Sequence, residues 1–390
     1  MLARGASWSG AREVQVRLGA AAGAAPDAPL PAGTEVRALA YPALVGDPDV
    51  GERVLLNVSA LARGLGTGGY ALVVALPDAL PADPPAGPGH LVKARYTPQQ
   101  ALVLGVDEQE SAQHAVLRDA DDLRGLPVVV ADLHSALPAI VAGARYAAAR
   151  AGHRAPKVAY VMTDGGALPA WFSRTVAGLR AAGWIEACLT AGQAFGGDLE
   201  AVTVHSALLA ARLVVGADLV VVAQGPGNLG TGTRWGFSGV AAGEAVNAAG
   251  ILGGRPVASL RVSGADGRQR HLGISHHSLT AYGRVALVPA DVVVPVFGPG
   301  PAAGDERGTG EPPRARGPLE ALGTRVGQQA LALGAPAGRH RLVPVDAGPD
   351  LLAALGASPV RLSTMGRGLG QDPAAFLAAA AAGVHAAVLG

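Results

Sequence analysis

The sequence predicts an α/β fold. It reads as a mostly parallel sheet with flanking helices, doubly wound by preference and an eight-stranded α/β barrel as the alternative, preceded by a small all-β, barrel-like N-terminal domain. Three observations carry this. From about residue 100, apolar runs of five to seven residues alternate with Ala/Leu-rich helical stretches. The runs are Val-rich and near-continuous, as in strands buried on both faces. Before residue 76 the runs are short or alternating, and no convincing amphipathic helix accompanies them.

Taken in order, the N-terminal strands fall at 13–18, 35–40, 53–58 and 70–76, with turns at 50–52 and 64–69, which suits a barrel or sandwich domain over 1–76. Seven of the thirteen residues at 77–89 are Pro or Gly, marking a linker over 77–99. The α/β domain then spans 100–390. Its strands are expected near 128–131, 158–162, 187–190, 219–223, 256–262, 292–295, 342–345 and 360–362. Its helices are expected near 137–150, 170–182, 199–215, 240–252, 278–288, 319–333, 350–355 and 373–382. The Gly/Pro-rich stretch 298–318 reads as a flexible surface loop.

Composition narrows the function classes. The chain has 390 residues with 56 Gly and 29 Pro, yet it is 49% hydrophobic and only 16% charged, which excludes disorder of the whole. No window of about 18 uninterrupted apolar residues suggests a membrane span. A net charge of +1 offers no field for nucleic acid or an anionic membrane. The single cysteine, Cys188, cannot form an internal disulfide or a multi-cysteine metal site, and residues 1–23 lack the apolar core of a secretion signal, so the cytoplasm is the expected compartment.

In either α/β architecture, ligands bind at the carboxyl ends of the strands. Polar residues collect there. Asp132, His134 and Ser135 follow the first strand, Asp164, Gly165 and Gly166 the second, and Gly196, Gly197, Asp198 and Glu200 the third. The fourth gives Gln224 and the loop Gly225, Gly227, Gly230, Thr231, Gly232 and Thr233; the fifth gives Asp266, Arg268, Arg270, His271, Ser275, His276 and His277. The loop has Gly-x-Gly-x-x-Gly spacing, so its amides and hydroxyls could cradle a phosphate or carboxylate. It lies in the fourth α/β unit, Pro226 removes a donor, and no Gly-Lys-Ser/Thr ending follows, so a glycine-rich turn is the competing reading.

Asp132, His134, Asp164, Asp198, Glu200, His205, His276 and His277 are also acceptable ligands for a divalent metal, though no His-Glu-x-x-His signature occurs. On an extended segment His276 and His277 would point in opposite directions. His205 reads as structural. Ser135, Ser278 and Asp198 read as helix N-caps, which puts Glu200 in a first helical turn. Cys188 reads as inert core.

Several segments together carry a resemblance: 64–70 (Gly-Leu-Gly-Thr-Gly-Gly-Tyr), 89–97 (Gly-His-Leu-Val-Lys-Ala-Arg-Tyr-Thr), Asp132-Leu133-His134-Ser135, 160–169 (Tyr-Val-Met-Thr-Asp-Gly-Gly-Ala-Leu-Pro), 193–202 (Gln-Ala-Phe-Gly-Gly-Asp-Leu-Glu-Ala-Val), 225–239 and 275–280 (Ser-His-His-Ser-Leu-Thr). The chain resembles the uncharacterised family of actinobacteria and firmicutes catalogued as domain of unknown function 3866. The likeness covers nearly the whole chain apart from the first dozen residues and the 298–318 loop. It implies bacterial origin and a single-protein architecture, and no reaction.

The expectation is therefore an enzyme, a hydrolase or transferase, acting on an anionic metabolite. Its acid/base or metal-ligating candidates are Asp132, His134, Asp164, Asp198, Glu200 and His276, its ligand-binding candidates are the glycines and threonines above, and Arg261, Arg270 or Arg367 supply counter-charge. The metal and any cofactor are unknown, and a homo-oligomer is compatible. The alternative is a non-catalytic metabolite-binding or scaffold protein.

Overall fold

The computed structural model describes residues 1–20, 30–83, 85–298, 317–334 and 338–390. The expected loop at 298–318 lies, apart from its two ends, outside the described residues.

The N-terminal strands are β1 (Ala3–Trp8), β2 (Ala11–Arg17), β3 (Glu35–Ala40), β4 (Leu55–Asn57) and β5 (Ala71–Ala75), with the short helices α1 (Pro42–Val45) and α2 (Ser59–Ala62) between them. Alternation makes this sheet one-sided: Val14 and Val16 are buried while Gln15 and Arg17 are exposed. The order is β1-β2-β3-β5-β4, with β3 and β5 parallel, and β1 and β4 remain edges, so the sheet is open. Next come the paired strands β6 (Leu91–Lys93) and β7 (Ala101–Val103), then α3 (His114–Leu117).

The larger unit runs β8 (Pro127–Val130), α4 (Leu137–Arg150), β9 (Val158–Thr163), α5 (Arg174–Ala181), β10 (Ala187–Thr190), β11 (Leu199–Glu200), α6 (Val204–Leu213), β12 (Leu219–Gln224), α7 (Ala241–Ile251) and β13 (Arg255–Ser259). It continues through the hairpin β14 (Val262–Ser263) and β15 (Gly273–Ile274), α8 (His276–Thr280), β16 (Asp291–Val296), α9 (Pro318–Gly334), β17 (Arg341–Asp346), α10 (Pro349–Gly356), the hairpin β18 (Ser363–Thr364) and β19 (Arg367–Gly368), and α11 (Pro373–Leu389).

Eight strands form one sheet in the order β11-β10-β9-β12-β8-β13-β16-β17, every neighbouring pair parallel. Because β11 and β17 are edges, the sheet is open and the barrel alternative is not realised. All residues of β8, β10 and β12 are buried, as two covered faces require. The cover is intimate: a Cβ on Gly143 of α4 would sit 2.0 Å from the Ala380 carbonyl oxygen of α11, and one on Gly383 would sit 1.9 Å from the Ile140 carbonyl oxygen.

Several expected elements differ. The 170–182 helix is broken at the extended Ser173, which caps α5 by accepting from Val176 N. Residues 199–200 are strand, not helix, because Gly196-Gly197 turns the chain back beside β10; α6 starts after Thr203, whose hydroxyl caps Ser206 N. Residues 360–362 are not a strand of the sheet; β11 is the eighth strand instead. The 278–288 helix begins earlier, at His276, and ends in a π turn over Ala281–Val285.

Connections from β8 run first to β9, β10 and β11, return through β12, and then cross to β13, β16 and β17. The two directions part at β8, so the crevice of a doubly wound sheet falls at the carboxyl ends of β8, β12 and β13.

Candidate functional site

Each strand end at this point delivers a polar side chain. β8 is followed by Asp132, β12 ends at Gln224, and β13 is followed by Arg261. The buried Tyr282 hydroxyl lies 2.8 Å from the Val130 carbonyl and 3.1 Å from the Ser259 carbonyl, fixing the ends of β8 and β13. On the β12 side the Gln224 amide donates to the Asp132 carbonyl at 2.8 Å and to Asn228 Oδ1 at 2.9 Å.

A histidine cluster faces these ends. His271 comes from the loop of the β14–β15 hairpin, and His276 and His277 form the first turn of α8, capped by Ser275, whose hydroxyl accepts from His277 N and meets His271 Nδ1 at 2.7 Å. Helical geometry overturns the expectation that His276 and His277 diverge: their ring centroids are 4.4 Å apart, and each is within 5.0 Å of His271. One nitrogen from each ring lies within 4.8 Å of the others, close enough to hold a metal ion. Phe237 stacks on His277 with ring centroids 3.8 Å apart and planes nearly parallel.

Charge surrounds the cluster. Arg261 Nη1 donates to His277 Nδ1 at 3.0 Å and lies 3.8 Å from Asp132 Oδ2, which is 3.5 Å from the same imidazole nitrogen. Asp132 is 3% exposed. Loss of solvent, aided by the Arg261 charge, pushes His271 down to about 3; loss of solvent, aided by His277, pushes His276 down to about 4. Both rings are neutral at physiological pH, the form that ligates metals and accepts protons. Three buried polar atoms here have no hydrogen-bond partner: Asp132 Oδ2, Gln224 Oε1 and His276 Nε2.

The other expected site residues are placed elsewhere or are occupied. His134 meets the Tyr160 hydroxyl through Nδ1 at 3.0 Å and the Ser173 hydroxyl through Nε2 at 2.7 Å, and burial lowers it to about 4. Asp164 is exposed and accepts from Gln193 N. Asp198 does not cap a helix; it accepts from Cys188 N and pairs with Arg180, lining a separate cavity between α5 and the N-terminal sheet. Glu200 is not in a helical turn either: its carboxylate is 2.9 Å from the buried Lys93 ammonium and accepts from Thr190 Oγ1 and Gly196 N. Ser135 and Ser278 cap no helix; Ser135 bonds Thr364, and Ser278 accepts from Arg261 N.

Among the glycines, close packing accounts for several. A Cβ on Gly166 would meet the Gly225 carbonyl at 2.1 Å, one on Gly225 the Ala167 carbonyl at 2.4 Å, and one on Gly165 Gln224 Oε1 at 2.5 Å. Gly196, at φ +81°, lies against Trp171, and Gly197 against the Cys188 carbonyl. The loop beyond is folded on itself: Thr231 N bonds the Gly236 carbonyl, Thr233 Oγ1 accepts from Gly236 N, and Gly230 bridges Phe237. Gly227 faces open space, and Gly232 approaches Arg270.

Sequence reasoning placed His271 at the correct strand end but left it out of the metal set. The signal available was its spacing, five residues before His276. Lys93 was missed as well; a lysine in a chain whose 31 basic residues include only one other was the available cue.

A family model described as "Protein of unknown function (DUF3866)" matches residues 37–383. No curated protein matches the chain significantly, and no solved structure does.

Proposed function

The chain belongs to the DUF3866 family, and we propose that it is an enzyme, a hydrolase or transferase, acting on a small anionic metabolite at the carboxyl ends of β8, β12 and β13. One observation carries the reading. Folded interiors leave few buried polar atoms without a partner, yet Asp132 Oδ2 and His276 Nε2 both lack one in the group where Asp132 meets His277 and His277 meets His276, and Gln224 Oε1 lacks one at the neighbouring strand end, against only Thr67 Oγ1 and His340 Nδ1 elsewhere among the described residues. Such a cluster is explained by a bound group that supplies the missing partners. Arg261, which already touches Asp132 and His277, and Arg270, next to Gly232, supply counter-charge for a phosphate or carboxylate.

Asp132 and the three imidazoles supply proton-transfer or ligand chemistry, while His134, Asp164, Asp198 and Glu200 act as structure. The adjoining cavity, lined by Asp132, Arg261, Ser263 and Arg367, measures about 30 Å³. Leu229 and Trp235 are exposed on the 225–236 loop. The same proposal makes 1–76 a separate domain joined through 77–99, and places a bacterial protein in the cytoplasm with a small-molecule partner and no nucleic acid. No helix among the described residues is long and apolar enough to cross a membrane.

Thermal-shift titration with inorganic phosphate, sugar phosphates and dicarboxylates, followed by product detection for each stabilising compound, tests the reading. Stabilisation by at least one class, abolished in Arg261→Ala, and turnover of that compound are expected. Stabilisation without turnover would make the protein a binding module, and no stabilisation by any anion would remove the site.

A further inference from the structure

We propose that His271, His276 and His277 are the tripod of a site for one divalent transition-metal ion of the zinc class, with Asp132 orienting His277 from behind. This rests on the crevice reading above and specifies the electrophile that the crevice uses.

The geometry is close to a closed tripod. Tetrahedral zinc with bonds of about 2.0–2.1 Å holds its nitrogens about 3.3 Å apart. The three ligand nitrogens already lie within 4.8 Å of one another, so closure requires movements of about 1.5 Å or less. Ser275 ties the two contributing segments together, since its hydroxyl meets His271 Nδ1 and accepts from His277 N. With the Nδ1 atoms of His271 and His277 engaged, the Nε2 atoms are left to converge, and His276 Nε2 is buried without a partner. Three imidazoles with no thiolate suit zinc and its neighbours and not magnesium or calcium. Three protein ligands also leave a fourth position for water or substrate, as catalytic sites do.

The surrounding groups match a loaded state. An arginine can only donate, so in the metal-free protein His277 Nδ1 accepts from Arg261 and the ring proton sits on Nε2. Ligation through Nε2 moves that single proton, by way of solvent, to Nδ1, and the ring stays neutral. Nδ1–H then faces Asp132 Oδ2, 3.5 Å away and lacking a partner, which is the carboxylate–histidine–metal arrangement. The same step releases Arg261 to face the crevice, which couples metal loading to anion binding.

The full-length chain, stripped of metal, is titrated with Zn²⁺ against a chromophoric chelator and with Co²⁺ followed by visible absorption. One ion per chain and the intense visible bands of four- or five-coordinate cobalt are expected. Affinity for Zn²⁺ should fall at least about 100-fold in His271→Ala and in His276→Gln, fall about 10- to 100-fold in Asp132→Asn, and hold in His205→Ala, whose ring is exposed on α6. Circular dichroism of the metal-free variants reports folding, and the wild-type stoichiometry needs no variant. Binding of less than about 0.1 ion per chain by the wild type, or wild-type affinity in a folded His271→Ala, His276→Gln double variant, overturns the proposal. If zinc fails to bind while Arg261→Ala still abolishes anion stabilisation, the metal is wrong and the crevice stands; loss of both removes both.

Discussion

Replacing Lys93 with methionine should destabilise the protein more than almost any other single polar change. The Lys93 side chain is 2% exposed and that of Glu200 10% exposed. The ammonium lies 3.1, 2.8 and 2.9 Å from the carbonyls of Thr190, Ala194 and Ala201, and 2.9 Å from Glu200 Oε2. Methionine fills a similar volume but leaves three carbonyls short of a donor and a buried carboxylate without its counter-charge. Breaking a buried pair from one side costs about 3–5 kcal/mol, a large share of a total stability of about 5–15 kcal/mol. Adding Glu200→Gln removes the stranded charge and keeps one acceptor oxygen, for Gly196 N, while its amide NH2 donates to Thr190 Oγ1, so the double variant should recover about half of the loss. Urea unfolding followed by tryptophan fluorescence gives both values from the midpoints, with an unchanged slope. A Lys93→Met loss under about 1 kcal/mol, or a double variant as unstable as the sum of the singles, would refute the argument that Glu200 is half of a structural ion pair.

Three further outcomes are expected. Burial lowers His134 to about 4 from 6.5, so the unfolded chain binds a proton in this window that the native chain does not; its contribution is full above pH 6.5 and is lost as pH falls toward 4, about 3 kcal/mol in all. The difference between wild-type and His134→Gln stabilities should shrink across that window, and a pH-independent difference would contradict it. Gly143→Ala, by driving a methyl into the Ala380 carbonyl, should cost about 2–3 kcal/mol in thermal or urea unfolding. Cys188 is 2% exposed and its thiol is held well above the ordinary range by burial, so a thiol reagent should label it in denaturant and leave the native protein untouched over hours.

The α/β pattern was legible because Val-rich runs such as Leu219–Gln224 declare burial on both faces whatever their neighbours are. Residues 199–200 were not, because a two-residue strand has no period and the Ala/Leu-rich stretch behind it extends the helical signal forward. At the site, Arg261, inside the expected strand 256–262, entered only as a counter-charge, while the strand-end rule gathered Asp132, Gln224, His271, His276 and His277 without any motif. It could not rank them against Asp164, Asp198 or Glu200, because partners such as Cys188 N and the Lys93 ammonium are set by tertiary contacts. The direction of His276 and His277 hung on whether their segment is extended or helical, and Ser275, three residues before the predicted cap Ser278, decides that. The repeated glycines marked real events after strands, and several of those events are backbone meeting backbone.

The position of β12 sets the order in which this protein can be made. It is the fifth strand of the sheet along the chain, yet it lies between the first two, β8 and β9, hydrogen-bonded to both. A ribosome that has released only the residues up to β11 therefore displays two unpaired Val-rich edges facing a gap. That nascent intermediate invites mispairing with other chains until residues 219–224 emerge. Translation pauses or chaperone binding in the interval between β9 and β12 should therefore affect yield, and fragments ending before residue 224 should aggregate rather than fold.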